Sequence, residues 1–279
     1  MLLHGAYCRE IGKTHNRNTT IMSSRPATAR KTVLVTGAAK RIGRTIALAF
    51  AQRGWDVVVH YRTSEADARA TVAQIEALGR RAVALQCDLA DETAVRALLR
   101  RSSAVLGPIC CVVNNASLFD YDTAHDFSTA SLDAHMHINL SAPILLAQAL
   151  FDATPDGAQA SVVNLLDQKL FNLNPDFLSY TLSKAALQSA TTMLAQALAP
   201  KVRVAAVAPG ITLVSGNQSA AGFANAHTAT PLGRSSTPDD IAAAVCFIAE
   251  SPAITGTTLV VDGGQHLIPL QRDVMFVAS

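Results

Sequence analysis

The chain is expected to fold as one doubly wound α/β domain, with a parallel sheet of about seven strands and helices on both faces. Three observations lead there. Short β-branched, apolar runs alternate with longer segments of helical period from residue 31 onward. The runs are apolar almost throughout, as strands covered on both faces must be. Apolar residues make up 49% of the 279 residues and charged residues only 16%, enough for a large buried core in one unit of ordinary α/β size. No linker, internal repeat or second domain interrupts the pattern.

The strands are expected at 32–36 ("TVLVT"), 56–61 ("DVVVHY"), 81–86 ("RAVALQ"), 109–114 ("ICCVVN"), 160–166 ("ASVVNLL"), 202–208 ("VRVAAVA") and 258–263 ("TLVVDG"). Helices are expected between them at 41–53, 65–78, 91–104, 131–151, 178–199 and 237–250. Strand–helix alternation of this kind requires parallel crossovers. The stretch 210–236 breaks the rhythm: it is small, polar and aperiodic. A loop that long beyond a strand's C-terminal end is expected to be a substrate lid. The helices containing 140–151 and 182–199 carry apolar residues over more than one stripe, which points to a subunit interface or to alanine-rich monomer helices. A homo-oligomer, with a tetramer favoured, is the expectation.

The first 30 residues hold five Lys/Arg and one acid among scattered Thr, Asn and Ser. That composition has the look of a transit peptide. A disordered extension, or an upstream start with Met22 as the true beginning, is preferred because no amphipathic helix is apparent. The net charge of +2 gives no argument for nucleic acid or an anionic membrane, and no apolar run is long enough to span a bilayer. The five cysteines form no CxxC pair. Buried free thiols at Cys110 and Cys111 suit a reducing compartment, so a cytoplasmic location is expected. Histidines 125, 135, 137, 227 and 266 are scattered, and none is assigned to a metal.

The first strand leads into "TGAAKRIGRTIALAF", with glycines at Gly37 and Gly43 and Arg41 where a middle glycine often sits. Between a strand and a helix, such a turn lets backbone and helix N-terminus approach a pyrophosphate. Lys40, Arg41 and Ile42 belong to the same loop. The second strand ends "HYRTS", comprising His60, Tyr61, Arg62, Thr63 and Ser64, without the acid that would hold the ribose diol of NAD. Arg62 is either an ordinary solvated charge or, with Thr63 and Ser64 donating beside it, the neutraliser of a 2′-phosphate. NADPH is therefore the expected cofactor. Asp88, after the third strand, either holds the adenine amino group or caps the next helix.

These pieces, with "NNAS" (114–117), Asn139, "YTLSK" (180–184) and "APG" (208–210), resemble the short-chain dehydrogenase/reductase family over about residues 31 to 265. The resemblance implies that Tyr180 is the proton donor and that Lys184 lowers its pKa and binds nicotinamide-ribose hydroxyls. It implies that Asn139 supports a proton-relay water, and that Asn115, Ala116, Ser117, Pro209 and Gly210 border the cofactor. The spacing agrees, since residues i and i+4 share a helix face.

One departure stands out. Thirteen residues before the tyrosine the family usually has a serine, and this chain has Asp167. A carboxylate there opposes a developing alkoxide and raises the tyrosine pKa, but it suits a C=N bond whose nitrogen must gain a proton. The pteridine reductases and similar bacterial dihydropteridine reductases share this combination, the Arg at 41, Ser117, and an aromatic at Phe119. By that similarity Phe119 stacks on a flat pterin, Arg41 and Ser117 hydrogen-bond ligand or cofactor phosphate, and Asp167 and Tyr180 handle protons at the ring nitrogens. The bland alternative for Phe119 is a core or lid aromatic. The rivals for function are a general short-chain carbonyl reductase and a cofactor-binding regulator without turnover.

Overall fold

The computed structural model describes residues 30–214 and 219–277. The N-terminal extension expected at 1–30 lies outside the described residues, except for Arg30. In chain order the elements are β1 (Thr32–Val35), α1 (Arg41–Gln52), β2 (Asp56–Tyr61), α2 (Glu65–Ala77), β3 (Ala82–Gln86), α3 (Glu92–Leu106) and β4 (Cys111–Asn114). There follow α4 (Thr129–Met136), α5 (Ala142–Ala153), β5 (Ala160–Leu165), α6 (Leu178–Ala197), β6 (Val202–Pro209), α7 (Ala220–Thr228), α8 (Pro238–Glu250), β7 (Thr258–Val261) and α9 (Val274–Val277).

All seven strands join one sheet in the order β3-β2-β1-β4-β5-β6-β7, every pair parallel. The order reverses direction between β1 and β4, which opens a crevice above their C-terminal ends. Alternation within the strands builds two cores. Val33, Val35, Val57, Val59, Cys111 and Val113 pack on one face with α1 and α8. Leu34, Val58, Val112 and Val162 point to the other face, toward α3 and α5. Each β1 side chain is fully buried, which is why these strands read as unbroken apolar runs.

Two expectations about elements need correction. The helix expected at 131–151 is broken: α4 ends at Met136, a π-turn runs His137–Ser141, and α5 resumes at Ala142. Pro143 lacks the N–H that would bond the carbonyl at 139, so a continuous α-helix cannot be completed there. The stretch 210–236 is not one irregular loop either. It contains α7, whose start is capped by Ser219 Oγ accepting from Gly222 N at 3.0 Å; residues 215–218 lie outside the described set. No described helix is long and apolar enough to cross a membrane.

Candidate active site

Two cavities of about 470 and 450 Å³ open side by side along the crevice, sharing Arg41, Ile42, Asn115 and Ser117 as walls. The second is the cofactor-like one. It is shaped by Gly37, which holds φ +62 and whose added Cβ would come 3.1 Å from the Ala116 backbone. A Cβ on Gly43 would meet Gly37 O at 2.3 Å. Only glycine permits this loop and leaves its backbone bare to an anion. Gly37 N donates to His60 Nδ1 at 3.0 Å, and His60 Nε2 lies 3.0 Å from Cys87 O. Nδ1 must accept, so Nε2 carries the proton and donates to Cys87. Burial lowers the imidazole pKa to about 4, keeping it neutral.

Arg62, Thr63 and Ser64 stand on the rim of this cavity, with Arg62 and Thr63 exposed. Tyr61 lines it and is partly buried. Lys40 also lines it, although its ammonium pairs with Asp67 at 2.9 Å. Asp88 lies on the wall and its Oδ1 accepts from Ala90 N at 3.0 Å, so its carboxylate shapes the start of the next segment while still bordering the cavity. Bare glycine backbone, a cation and two hydroxyls fit a phosphorylated dinucleotide.

The other cavity carries the reactive groups. Asp167 follows β5 and Tyr180 sits in the first turn of α6; the Tyr180 hydroxyl donates to Asp167 Oδ2 at 2.9 Å. Lys169 N donates to Asp167 Oδ1 at 2.8 Å. Burial raises the Asp167 pKa against these two bonds, and the carboxylate of Asp273 adds to the rise. Burial and the adjacent Asp167 hold Tyr180 well above a free phenol. Lys184, one turn later, donates to Leu165 O at 2.7 Å, with its ammonium 5.7 Å from the tyrosine ring centre. Burial brings Lys184 down to about 8. The phenol-acidifying role implied for Lys184 is therefore outweighed here by burial and the neighbouring carboxylate. Pro209 and Gly210 line this cavity at the end of β6, and a Cβ on Gly210 would meet Ser235 Oγ at 2.5 Å.

Phe119 lines the same cavity and is 38% exposed. One ring face is stacked on Phe177 at 4.3 Å, and Tyr180 meets it edge-on at 4.6 Å. Ser117 Oγ lies 3.1 Å from both Asn139 Oδ1 and Leu118 O, which share its one proton. Asn139, on the π-turn, stands outside the walls of both cavities. Its Nδ2 donates to Leu118 O and Ser183 Oγ, both at 2.9 Å, and its Oδ1 also accepts from Leu118 N at 2.8 Å. The side chain thus clamps the loop after β4 onto α6.

Several residues of this site escaped the sequence reading. Thr36 Oγ1 accepts from Asn115 N and Ala116 N, pinning the two loops together. Asp122 accepts from Ser179 N and Ser179 Oγ and so caps the helix that carries Tyr180. Gln168, Lys169, Asp273, Val274 and Met275 complete the wall. A Thr-Gly pair at the first loop could have flagged Thr36; nothing local singles out Asp122 or the C-terminal residues.

A family described as enoyl-(acyl carrier protein) reductase matches residues 37–266. Among solved structures, FolM alternative dihydrofolate reductase 1 from Brucella canis, complexed with NADP, is 41% identical at a TM-score of 0.83, covering 88% of this chain and 97% of that one. A short-chain dehydrogenase from Burkholderia cenocepacia in complex with NADP is 35% identical at 0.78, covering 84% and 97%. A 3-oxoacyl-[acyl-carrier-protein] reductase of Staphylococcus aureus is 31% identical over 85% of this chain and 98% of its own length. Fold, cavities and relatives together define an NADP-dependent oxidoreductase. The chain belongs to the short-chain dehydrogenase/reductase family.

Proposed function

We propose that this enzyme is an NADPH-dependent reductase of pterins, acting on a ring C=N bond of a 7,8-dihydropterin or a dihydrofolate. The observation that carries the reading is the hydrogen bond from the Tyr180 hydroxyl to Asp167 at 2.9 Å, facing the cavity. NADPH supplies the hydride to the ring carbon. The chain's own groups then have to bring a proton to the adjacent nitrogen. Burial moves the Asp167 carboxyl upward from its acidic ordinary value, toward neutrality, and moves the Tyr180 phenol upward from its basic one, away from it. A general acid works best near the ambient pH. The proton therefore comes from Asp167, with Tyr180 bonded behind it and Lys184 compensating charge. The uncovered face of Phe119 stacks on the flat ring, while Arg41 and Ser117 border ring and cofactor alike. Arg62, Thr63 and Ser64 hold the 2′-phosphate. The similarity to a structure named as an alternative dihydrofolate reductase supports the same reading.

The chain is further proposed to act as a homo-oligomer, a tetramer being favoured. Leu182 and Met193 of α6 are 46% and 67% exposed in the single chain, and sedimentation of the purified protein tests this. The decisive assay is loss of NADPH absorbance with a 7,8-dihydropterin, dihydrofolate or an acetoacetyl thioester. Turnover of a pterin alone supports the reading. Turnover of the thioester alone overturns it in favour of a general carbonyl reductase, which the acyl-carrier names among the relatives make the relevant rival.

A further inference from the structure

The last described residues cross back over the reaction cavity. Arg272 Nε and Nη2 grip the Asp176 carboxylate with three contacts of 2.9–3.1 Å, and Asp273 N donates to the same carboxylate at 2.7 Å. Asp176 is 2% exposed. A second anchor lies beside the first. Lys169, two residues after Asp167, donates from Nζ to Asp176 O at 2.6 Å and to Asp273 Oδ2 at 3.1 Å, and is almost fully buried. Farther on, Phe276 packs edge-on against Tyr121 at 5.4 Å and is stacked near Phe177 at 6.2 Å; Phe177 is the ring that backs Phe119. The α9 turn also packs against α7. Between these anchors Asp273, Val274 and Met275 form one wall of the cavity that holds Asp167 and Tyr180.

We propose that residues 272–277 are a strap, latched by Arg272 on Asp176, that determines substrate specificity by setting Asp273 and Lys169 against the polar edge of the bound ring. A carboxylate beside an ammonium offers an acceptor and a donor side by side, which matches a flat heterocycle presenting N–H next to C=O. The wall of Val274 and Met275 limits the thickness of what enters. The identity of the ring rests on the pterin reading; the strap's part in substrate binding does not. The carboxylate of Asp273 also faces Asp167 and Tyr180 and pushes both pKa values upward after burial has done so. Lys184 from α6 opposes this rise at Asp167, and the Lys169 ammonium from the turn after β5 pairs with Asp273 itself. Docking the strap thus favours the protonated acid that the reaction uses.

The test compares wild type with Arg272→Met, which releases the latch, and Asp273→Asn, which keeps the shape and removes the charge. Tight binding of NADPH is measured by titration, and KM and kcat with a 7,8-dihydropterin. Both variants are expected to raise KM about tenfold while changing NADPH affinity by no more than about twofold. The pH above which turnover falls is expected to move down in Asp273→Asn. Trypsin, which cuts after Arg272, should cut the wild type more slowly once NADPH and dihydropterin are both bound. Unchanged KM in both variants overturns the proposal. So does a joint loss of NADPH affinity, kcat and melting temperature, which marks a merely structural segment. If wild type reduces only the acetoacetyl thioester, the pterin reading fails separately. The strap is then judged on the thioester KM: a rise of about tenfold in Arg272→Met keeps it, and no change ends it.

Discussion

Changing Asp167 to Asn removes a charge while keeping one oxygen that can go on accepting from Lys169 N, and it puts an amide NH2 able to donate to the Tyr180 oxygen where Oδ2 stood. In wild type a phenolate at Tyr180 would face a carboxylate 2.9 Å away. At an effective dielectric of about 20 that repulsion is about 6 kcal/mol before solvent screening. The cavity side is open to solvent, so only part of that is expected to survive, and the tyrosine pKa should fall in the variant. The assay is phenolate difference absorbance against pH, with Tyr180→Phe identifying its contribution among the four tyrosines of the chain. Dihydropterin kcat should drop by about 10²–10⁴, the usual worth of a positioned general acid, while NADPH affinity holds. In wild type, turnover should decline as pH rises through the raised Asp167 pKa, and that limb should vanish in Asp167→Asn. If Tyr180 titrates at the same pH in both proteins, the electrostatic argument about this pair is wrong. Equal turnover of dihydropterin by both proteins would refute the acid's role.

Three more expectations are independent of that one. Lys184→Met should abolish turnover yet stabilise the cofactor-free fold. Its folded pKa of about 8 lies below the free value of 10.5, so its contribution to stability is complete only above the free value and is lost as pH falls through about 8. After the loss of its bond to Leu165 O, a net gain of about 1–2 kcal/mol at pH 7 that shrinks toward pH 10 should appear in denaturant melts. Arg62→Ala should weaken NADPH roughly 10- to 100-fold and leave NADH almost unaffected, read by fluorescence titration; equal losses for both would remove Arg62 from the phosphate site. Asp122→Ala should cost about 1–2 kcal/mol of stability by uncapping α6, and kcat should fall with KM little changed; an unaltered kcat would mean that Tyr180 needs no such support.

Local pattern carried most of the fold into the sequence. Strands such as Val57–Val59 are buried on both sides, so their apolar runs announce a covered parallel sheet, and the Tyr180–Lys184 spacing on one helix face announces the site. What stayed hidden depends on long-range partners or on one backbone detail. Pro143 sits in an otherwise helical run, and its missing N–H turns one expected helix into two with a π-turn between. The stretch around α7 hid a helix because Ala, Gly and Asn at 220–228 give little periodic contrast. The strap could not be read at all: Asp176 and Arg272 are 96 residues apart, and neither is unusual where it stands. Asn139 could be singled out in advance, but the four bonds that hold its side chain between the loop after β4 and α6, outside the walls of both cavities, could not.

Arg41 adopts φ +53, a left-handed conformation, at the position where a middle glycine often stands. A side chain in that region carries a cost of about 1–2 kcal/mol that glycine would avoid. Its guanidinium is the cation shared by both cavities, and it also donates to Val214 O at 3.0 Å, tethering the segment beyond β6 to the first loop. The molecule thus keeps a standing tension in its backbone to hold one cation at the junction of cofactor and substrate. A glycine at 41 would relax the loop and at the same time cut its tie to the segment on the far side of the crevice, so that the two walls would no longer be joined by this residue.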